Sequence, residues 1–326
     1  MNKPLFQVVL LILIIISFSC HQQIEKNVNK LTAINPLSYT GVIFKSIRDT
    51  VFVSTYSGRI AQRINNESSE HVIANINDEI YALAYSKTRN EIIAATLSSG
   101  ILIINAHTGK RVKEIPLNDS WAIRIALTPD ENYLFTTDLT GKNHVWDVDN
   151  DYNEIQLSEE VTRKLLLLSD SVGNLYFSSR DTTYLWNSSM KKIENNFFTR
   201  GNRLVDVDDN GNLLLLNYNE CLFFNIASDS ITYKFSHPNW IYLNPKGEVL
   251  GEIPLSMQLT RAKFANNRIY TAGIDRSIRV WDKITGSLLD SWTGHAATIS
   301  DMQLSIDKRQ MVTVDLKGNI KFWELH

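Results

Sequence analysis

An all-β, seven-bladed β-propeller is the fold this sequence predicts, and three observations predict it. The first is a recurring strand ending: Val145-Trp146-Asp147, Leu185-Trp186-Asn187, Val280-Trp281-Asp282 and Phe322-Trp323-Glu324. Each ending follows a short polar turn and a run of β-formers. The second is spacing: Trp186 follows Trp146 by 40 residues and Trp323 follows Trp281 by 42. A repeat of ~40–45 residues ending in Trp-Asp supplies one four-stranded blade. The third is that Ile64, Ile104 and Phe224 fill the same position without the Trp. Seven endings result, at successive spacings of 40, 42, 40, 38, 57 and 42 residues.

Each blade can be justified in order. Thr40–Ile64 and Tyr81–Ile104 form two degenerate repeats, the second followed by the turn His107-Thr108-Gly109-Lys110. Trp121–Trp146 has its first turn at Pro129–Asn132, Arg163–Trp186 at Ser169–Asn174, and Arg203–Phe224 at Asp208–Asn212. The 57-residue interval holds Trp240–Leu250, which reads as a hairpin of about 15 residues inserted near 238–256. An eighth, truncated blade is the alternative. In the last repeat, Ile299–Trp323 reads as strand, turn, strand, turn, strand, and alternating apolar residues suit half-buried strands. That blade lacks its outer strand, and Asn29–Ile34 is expected to supply it, so that an N-terminal strand closes the last blade.

Residues 1–19 read as a signal peptide: Lys3 gives a positive start, and Leu5 to Phe18 is apolar apart from Gln7 and Ser17. The stretch is shorter than the ~18–20 apolar residues a membrane-spanning helix needs. Ser19-Cys20 at its end resembles the lipobox of bacterial lipoproteins, in which the Cys is lipidated and becomes the first mature residue, although Ser17 stands where Leu is usual. Ser17-x-Ser19 also satisfies the small-x-small rule, which leaves a soluble secreted product as the alternative. The expected organisation is thus signal peptide 1–19, lipid on Cys20, tether 20–28 and propeller 29–326. Cys221 then stands alone, so no internal disulfide is expected, and its apolar surroundings suit a buried thiol.

The repeats resemble the WD40 repeat family. Arg276 to Ser287 follows the family pattern through the third strand and its turn, Gly294-His295 matches the family's Gly-His pair, and Asp275 matches the Asp that opens the preceding turn. The resemblance implies a buried Asp–His–Ser/Thr–Trp network within a blade. His295, Thr313 and Trp323 match it in the last repeat, and Asp275 and Trp281 match it in the one before. In the last repeat Lys317 holds the Asp position and Asp315 lies two residues early, so a rearranged network is expected there. No equivalent His is assigned to the other blades, which are expected to rely on apolar packing.

The remaining chemistry is sparse. Hydrophobic content of 44%, charged content of 21% and a net charge of −2 suit a globular protein and lack the basic footprint of a nucleic-acid binder. The seven His are dispersed without metal-ligand spacing. Asp206-Val207-Asp208-Asp209-Asn210-Gly211 matches half of a calcium loop, but Asn217 stands where the bidentate Glu belongs, and the stretch reads as a hairpin turn. Neither metal nor cofactor nor catalytic residues are assigned. Loops entering the innermost strands place Tyr39, Tyr81, Trp121, Arg163, Arg203, Arg261 and His295 around one rim, and Trp240 stands in the hairpin. Trp, Tyr and Arg favour protein interfaces. The expectation is a monomeric, non-catalytic, protein-binding scaffold with an unidentified protein partner. It would be lipid-anchored to a bacterial cell envelope, on the periplasm-facing outer membrane. The alternative is an envelope enzyme, or a propeller binding a glycan or small ligand in its central channel.

Overall fold

The computed structural model describes residues 37–325, apart from 123, 158–160, 162–163, 188–191, 239, 245, 247 and 254–257, and apart from the side chains of 240–243 and 252–253. The signal peptide, Cys20, the tether, the strand expected at Asn29–Ile34, and Arg163 lie outside the described residues.

Seven antiparallel sheets form the seven blades of the propeller, and an eighth, two-stranded sheet stands apart from them. Six blades are four-stranded meanders; the seventh has three strands among the described residues. The innermost strands are Tyr39–Phe44, Ile80–Ser86, Ala126–Leu127, Leu165–Ser169, Arg203–Val207, Leu259–Ala265 and Ile299–Leu304. The third strands end at Ile64, Asn105, Asp147, Asn187, Asn225, Asp282 and Glu324. Each lies one residue past the Trp, Ile104 or Phe224 that marks it, except in blade 1, where Arg63 rather than Ile64 holds the Trp position. The two-stranded sheet pairs Trp240–Leu243 with Val249–Ile253 and occupies the long interval before blade 6.

The second strands depart from the alternation expected of half-buried strands. Every residue of Glu91–Thr96, Leu213–Leu216 and Gln310–Asp315 is buried. A blade is sandwiched between two neighbours, so both faces of its second strand are covered and both must be apolar or satisfied. The outermost strands show the opposite: most of Arg111–Ile115 and Leu288–Trp292 is exposed. The apolar clusters accordingly lie between blades. One joins Tyr39, Val42, Val51 and Val53 of blade 1 to Val312 and Val314 of blade 7. Each fully buried aliphatic side chain there contributes roughly 1.5–3 kcal/mol.

The Thr-Gly turn seen after Ile104 and again after Trp281 has a packing reason. Gly109 and Gly286 both adopt positive φ, at 68° and 71°. A Cβ on Gly109 would stand 2.0 Å from the Ile73 carbonyl, and one on Gly286 would stand 2.5 Å from the Tyr233 ring. These turns press against the preceding blade, where only Gly fits.

Hydrogen bonds between innermost strands tie neighbouring blades. Thr260 Oγ1 donates to the Ile299 carbonyl at 2.8 Å, and Ser300 Oγ donates to the Tyr39 carbonyl at 2.8 Å, at equivalent bulges. Asp206 Oδ2 accepts from Phe264 N at 2.7 Å, and Asp301 Oδ2 accepts from Val42 N at 3.1 Å. Blade 7 is also joined to blade 1 by Gln310 Oε1, which accepts from Asp49 N at 2.8 Å, and by the Arg48–Asp307 ion pair at 2.8 Å. The ring is therefore fastened at its seam by contacts of the described residues themselves.

Candidate functional site

Two polar constructions stand out: hydrogen-bond networks inside blades 6 and 7, and a charged central channel. The first network belongs to blade 7. Trp323 Nε1 donates to Thr313 Oγ1 at 2.8 Å, Thr313 Oγ1 lies 2.7 Å from His295 Nε2, and His295 Nδ1 lies 3.1 Å from Asp315 Oδ2. Asp315 also accepts from the backbone N–H groups of Ala296, Lys317 and Asn319. Asp315 thus replaces the residue at the Lys317 position in full. It lies at the end of the second strand, whereas Asp275 lies in the turn, yet each carboxylate reaches the Nδ1 of its histidine. The satisfied arrangement has neutral His295 with its proton on Nδ1. Burial lowers the His295 pKa, outweighing the pull of Asp315 in the other direction.

Blade 6 holds a second complete network, built on a histidine that the sequence reasoning missed. His237 Nδ1 lies 2.9 Å from Asp275 Oδ2 and its Nε2 lies 2.8 Å from Thr271 Oγ1, which accepts from Trp281 Nε1 at 2.9 Å. Ser277 Oγ donates to the same carboxylate at 2.6 Å. His237 precedes Thr271 by 34 residues, whereas His295 precedes Thr313 by 18. The hairpin lies between His237 and its blade, and that displacement hid it from a repeat-based alignment. Blade 4 shows what happens without the hydroxyl. Phe177 occupies the position of Thr271 and Thr313, and the buried indole N–H of Trp186 has no hydrogen-bond partner among the described residues.

A cavity of about 660 Å³ lies between the innermost strands of all seven blades. Arg124, Arg203 and Arg261 line it, together with Lys263 and Asp301. Arg261 Nε pairs with Asp301 Oδ1 at 3.0 Å and Lys263 Nζ with Asp206 Oδ1 at 3.2 Å. Arg124 is exposed to channel solvent yet walled round by protein. Burial, then the nearby charges of Arg203 and Arg261, lower its pKa to about 10, against a small opposing pull from Asp301. Burial and Arg261 lower that of Arg203 as well.

The predicted rim divides. Arg203 and Arg261 face the channel. Tyr81 is half-buried in the channel wall, where its hydroxyl donates to Glu79 at 2.9 Å and its ring meets Tyr56 edge-on. Burial and Glu79 push the Tyr81 phenol up to about 12. Trp121 is half-buried, and its carbonyl accepts from Leu139 N at 3.1 Å. Two residues depart from the expectation. Tyr39 is 2% exposed, packed into the seam between blades 1 and 7, with its hydroxyl on Glu70 at 3.2 Å. It offers no docking surface, because the blade 7 strands cover it. His295 belongs to the blade 7 network rather than to a rim. Trp240 opens the hairpin, and its side chain lies outside the described residues.

Asp208–Gly211 forms the turn after the strand that carries Asp206, and the carboxylates of Asp206 and Asp208 are committed. Asp208 Oδ1 accepts from the N–H groups of Asn210 and Asn212 at 2.9 and 2.8 Å, while Asp206 serves blade 6. Cys221 is buried, and burial pushes its thiol pKa up.

Residues 286–324 match the family described as WD domain, G-beta repeat. The chain is 34% identical over 91 residues to transcription initiation factor TFIID subunit 5 of Caenorhabditis elegans, a match covering 27% of this chain and 12% of that protein. It is 29% identical over 89 residues to protein ROOT INITIATION DEFECTIVE 3 of Arabidopsis thaliana, covering 26% of this chain and 20% of that protein. The chain therefore spans well under two thirds of either relative. A recognisable WD40 repeat thus sits in the last part of a seven-bladed ring, around the network of Thr313 and Trp323.

Proposed function

We propose that this chain is a non-catalytic, protein-binding propeller, held on a bacterial cell envelope by lipid on Cys20 and facing the periplasm from the outer membrane. WD40 propellers typically serve as interaction scaffolds, and one relative is by its name a subunit of a larger factor. The observation that carries the protein-binding role is the inserted hairpin. It forms a sheet separate from the blades and exposes Val249 (66%) and Leu250 (70%). A ring that needs only seven blades has no structural use for two exposed aliphatic side chains on an appendage, whereas a partner does. Trp121 supplies a second half-buried aromatic surface.

The test is affinity capture from detergent-solubilised envelope, comparing wild type with Val249→Asp plus Leu250→Asp and with Trp121→Ala. Loss of the same proteins from the hairpin variant supports the assignment; identical partner sets from all three refute it. The anchor is tested by palmitate labelling: wild type incorporates label and sediments with membranes, and Cys20→Ala does neither. Equal labelling of both would remove the lipid from this proposal.

A further inference from the structure

The channel arginines are the charged cluster that a scaffold role leaves unused. Strand register places them at one level of the ring. Arg203 pairs across to Leu216, Arg261 to Ala272 and Asp301 to Val314, which are equivalent positions in blades 5, 6 and 7. Arg124 lies between the Ala122–Asp138 bridge and the Ala126–Phe135 pair, at the same level of blade 3. In the remaining blades this level holds Gly41, Ala82 and Leu165, none of which carries a charge.

The hydrogen bonding at this level is lopsided. Asp301, its only carboxylate among the described residues, is already committed to Arg261 Nε at 3.0 Å and to the backbone N–H groups of Val42 and Met302 at 3.1 and 3.0 Å. Arg203 Nη2 reaches the Thr260 carbonyl at 3.5 Å, an oxygen that also accepts from Arg261 Nη1 at 3.0 Å. The two guanidinium groups therefore converge on one neutral acceptor. The Arg124 guanidinium has no hydrogen-bond or ion-pair partner among the described residues. Lys263 is neutralised by Asp206 and does not alter the balance.

Three guanidinium groups against one carboxylate leave two positive charges facing each other. They do so in a cavity whose protein walls weaken screening by water. Empty, this arrangement opposes folding; filled by an anion, it becomes favourable. The planar donor fork of Arg fits phosphoryl and carboxylate oxygens two at a time. The geometry points to a binding site in the central channel for a compact anion of charge −2 or more, a short phosphate chain or a polycarboxylate, held by Arg124, Arg203 and Arg261. The cavity, about 660 Å³, takes an anion of that size with its hydration partly retained.

The test is titration calorimetry of the full mature chain in detergent, with inorganic pyrophosphate and, separately, citrate as probes, at ~20 mM and ~0.3 M salt. The expected result is saturable binding of one anion per chain with a micromolar Kd at low salt. Binding should weaken at high salt and raise the melting temperature. Tighter binding of pyrophosphate assigns the site to phosphate chains, and tighter binding of citrate assigns it to carboxylates. Arg124→Ala plus Arg203→Ala should weaken either probe at least tenfold. Without ligand, the double variant should melt no lower than wild type, because its removed charges repelled one another. Heat from neither probe, binding indifferent to the double substitution, or a ligand-free double variant that melts well below wild type would each overturn the site. The titration requires no protein partner, and Val249→Asp plus Leu250→Asp should leave it unchanged. Failure here is thus separate from failure of the hairpin assignment.

Discussion

Thr313→Val removes one hydroxyl and almost no volume from the centre of the blade 7 network. Thr313 is 0% exposed. Its Oγ1 accepts from Trp323 Nε1 at 2.8 Å and lies 2.7 Å from His295 Nε2, to which it donates when the ring is neutral. The substitution therefore leaves two polar atoms without partners. An orphaned buried group costs about 1–3 kcal/mol. His295 is buried and takes a value near the middle of that range, while Trp323 is only half-buried and falls at its low end. The extra methyl recovers a fraction of the loss by apolar burial. The expected net destabilisation is about 2–3 kcal/mol, or a melting temperature lower by about 4–6 °C for a chain of this size. Urea denaturation followed by tryptophan fluorescence and far-UV circular dichroism measures it. Thr271→Val, in the equivalent position of blade 6, should cost a similar amount. A cycle with Trp323→Phe should show coupling of about 1 kcal/mol, since Trp323 and Thr313 share one bond. Stability unchanged to within ~0.5 kcal/mol in Thr313→Val would refute the reasoning, because the hydroxyl would then be holding nothing.

Five further outcomes are expected. Stability should be level above about pH 7 and decline as pH falls below 6.5, because burial lowers the His295 pKa and only the unfolded chain takes up its proton there; His295→Gln should flatten that slope in urea titrations at stepped pH. A second loss is expected below pH 3.8, where burial raises the Asp315 and Asp275 pKa values but hydrogen bonds, from Asn319 and His237 respectively among others, outweigh it and hold both below the unfolded value. Asp301→Asn should destabilise the ring by about 2–4 kcal/mol, because it weakens the tie to Val42 and leaves Arg261 charged and unpaired; an unchanged urea midpoint would show the seam does not depend on it. Cys221 should resist thiol reagents until the chain unfolds, its labelling rate tracking urea unfolding, whereas rapid labelling in the native protein would contradict its burial. Deleting residues 21–35 should lower the melting temperature sharply if Asn29–Ile34 is the outer strand of blade 7, and an unshifted melt would rule that strand out.

The ring was legible because its period is a property of local sequence. Trp146, Trp186, Trp281 and Trp323 stand one residue before the ends of third strands, as do Ile104 and Phe224, whereas in blade 1 Arg63 holds that place and Ile64 follows it. The hairpin was legible too, since one interval was too long for one blade and too short for two. What escaped were relations between residues far apart in the chain. His237 could not be matched to Thr271 while the hairpin stood between them. Asp315 appeared misplaced by two residues because a linear alignment does not show that a strand end and a turn can reach the same imidazole nitrogen. Tyr39 looked like a rim residue because it heads an innermost strand, but the seam with blade 7 buries it. Arg124 was missed because the innermost strand of blade 3 is only the pair Ala126–Leu127, and no strand pattern extends to it. Its significance depends on Arg203 and Arg261, about 80 and 140 residues further along, a convergence that only ring closure produces.

Both feet of the inserted hairpin are pinned to blade 6. On one side His237 is locked to Asp275 and Thr271; on the other, the Gln258 carbonyl accepts from Ile274 N at 3.0 Å. Whatever lies between those two anchors is released from the periodicity that governs the rest of the chain. Lengthening such a segment adds only a slowly growing closure entropy, about 0.6 kcal/mol per doubling. This stretch can therefore diverge, or be exchanged for a foreign loop or epitope, while the blade beneath it keeps its geometry. The ring can stay constant while this segment changes, which makes it the natural point at which to graft a new specificity onto the protein.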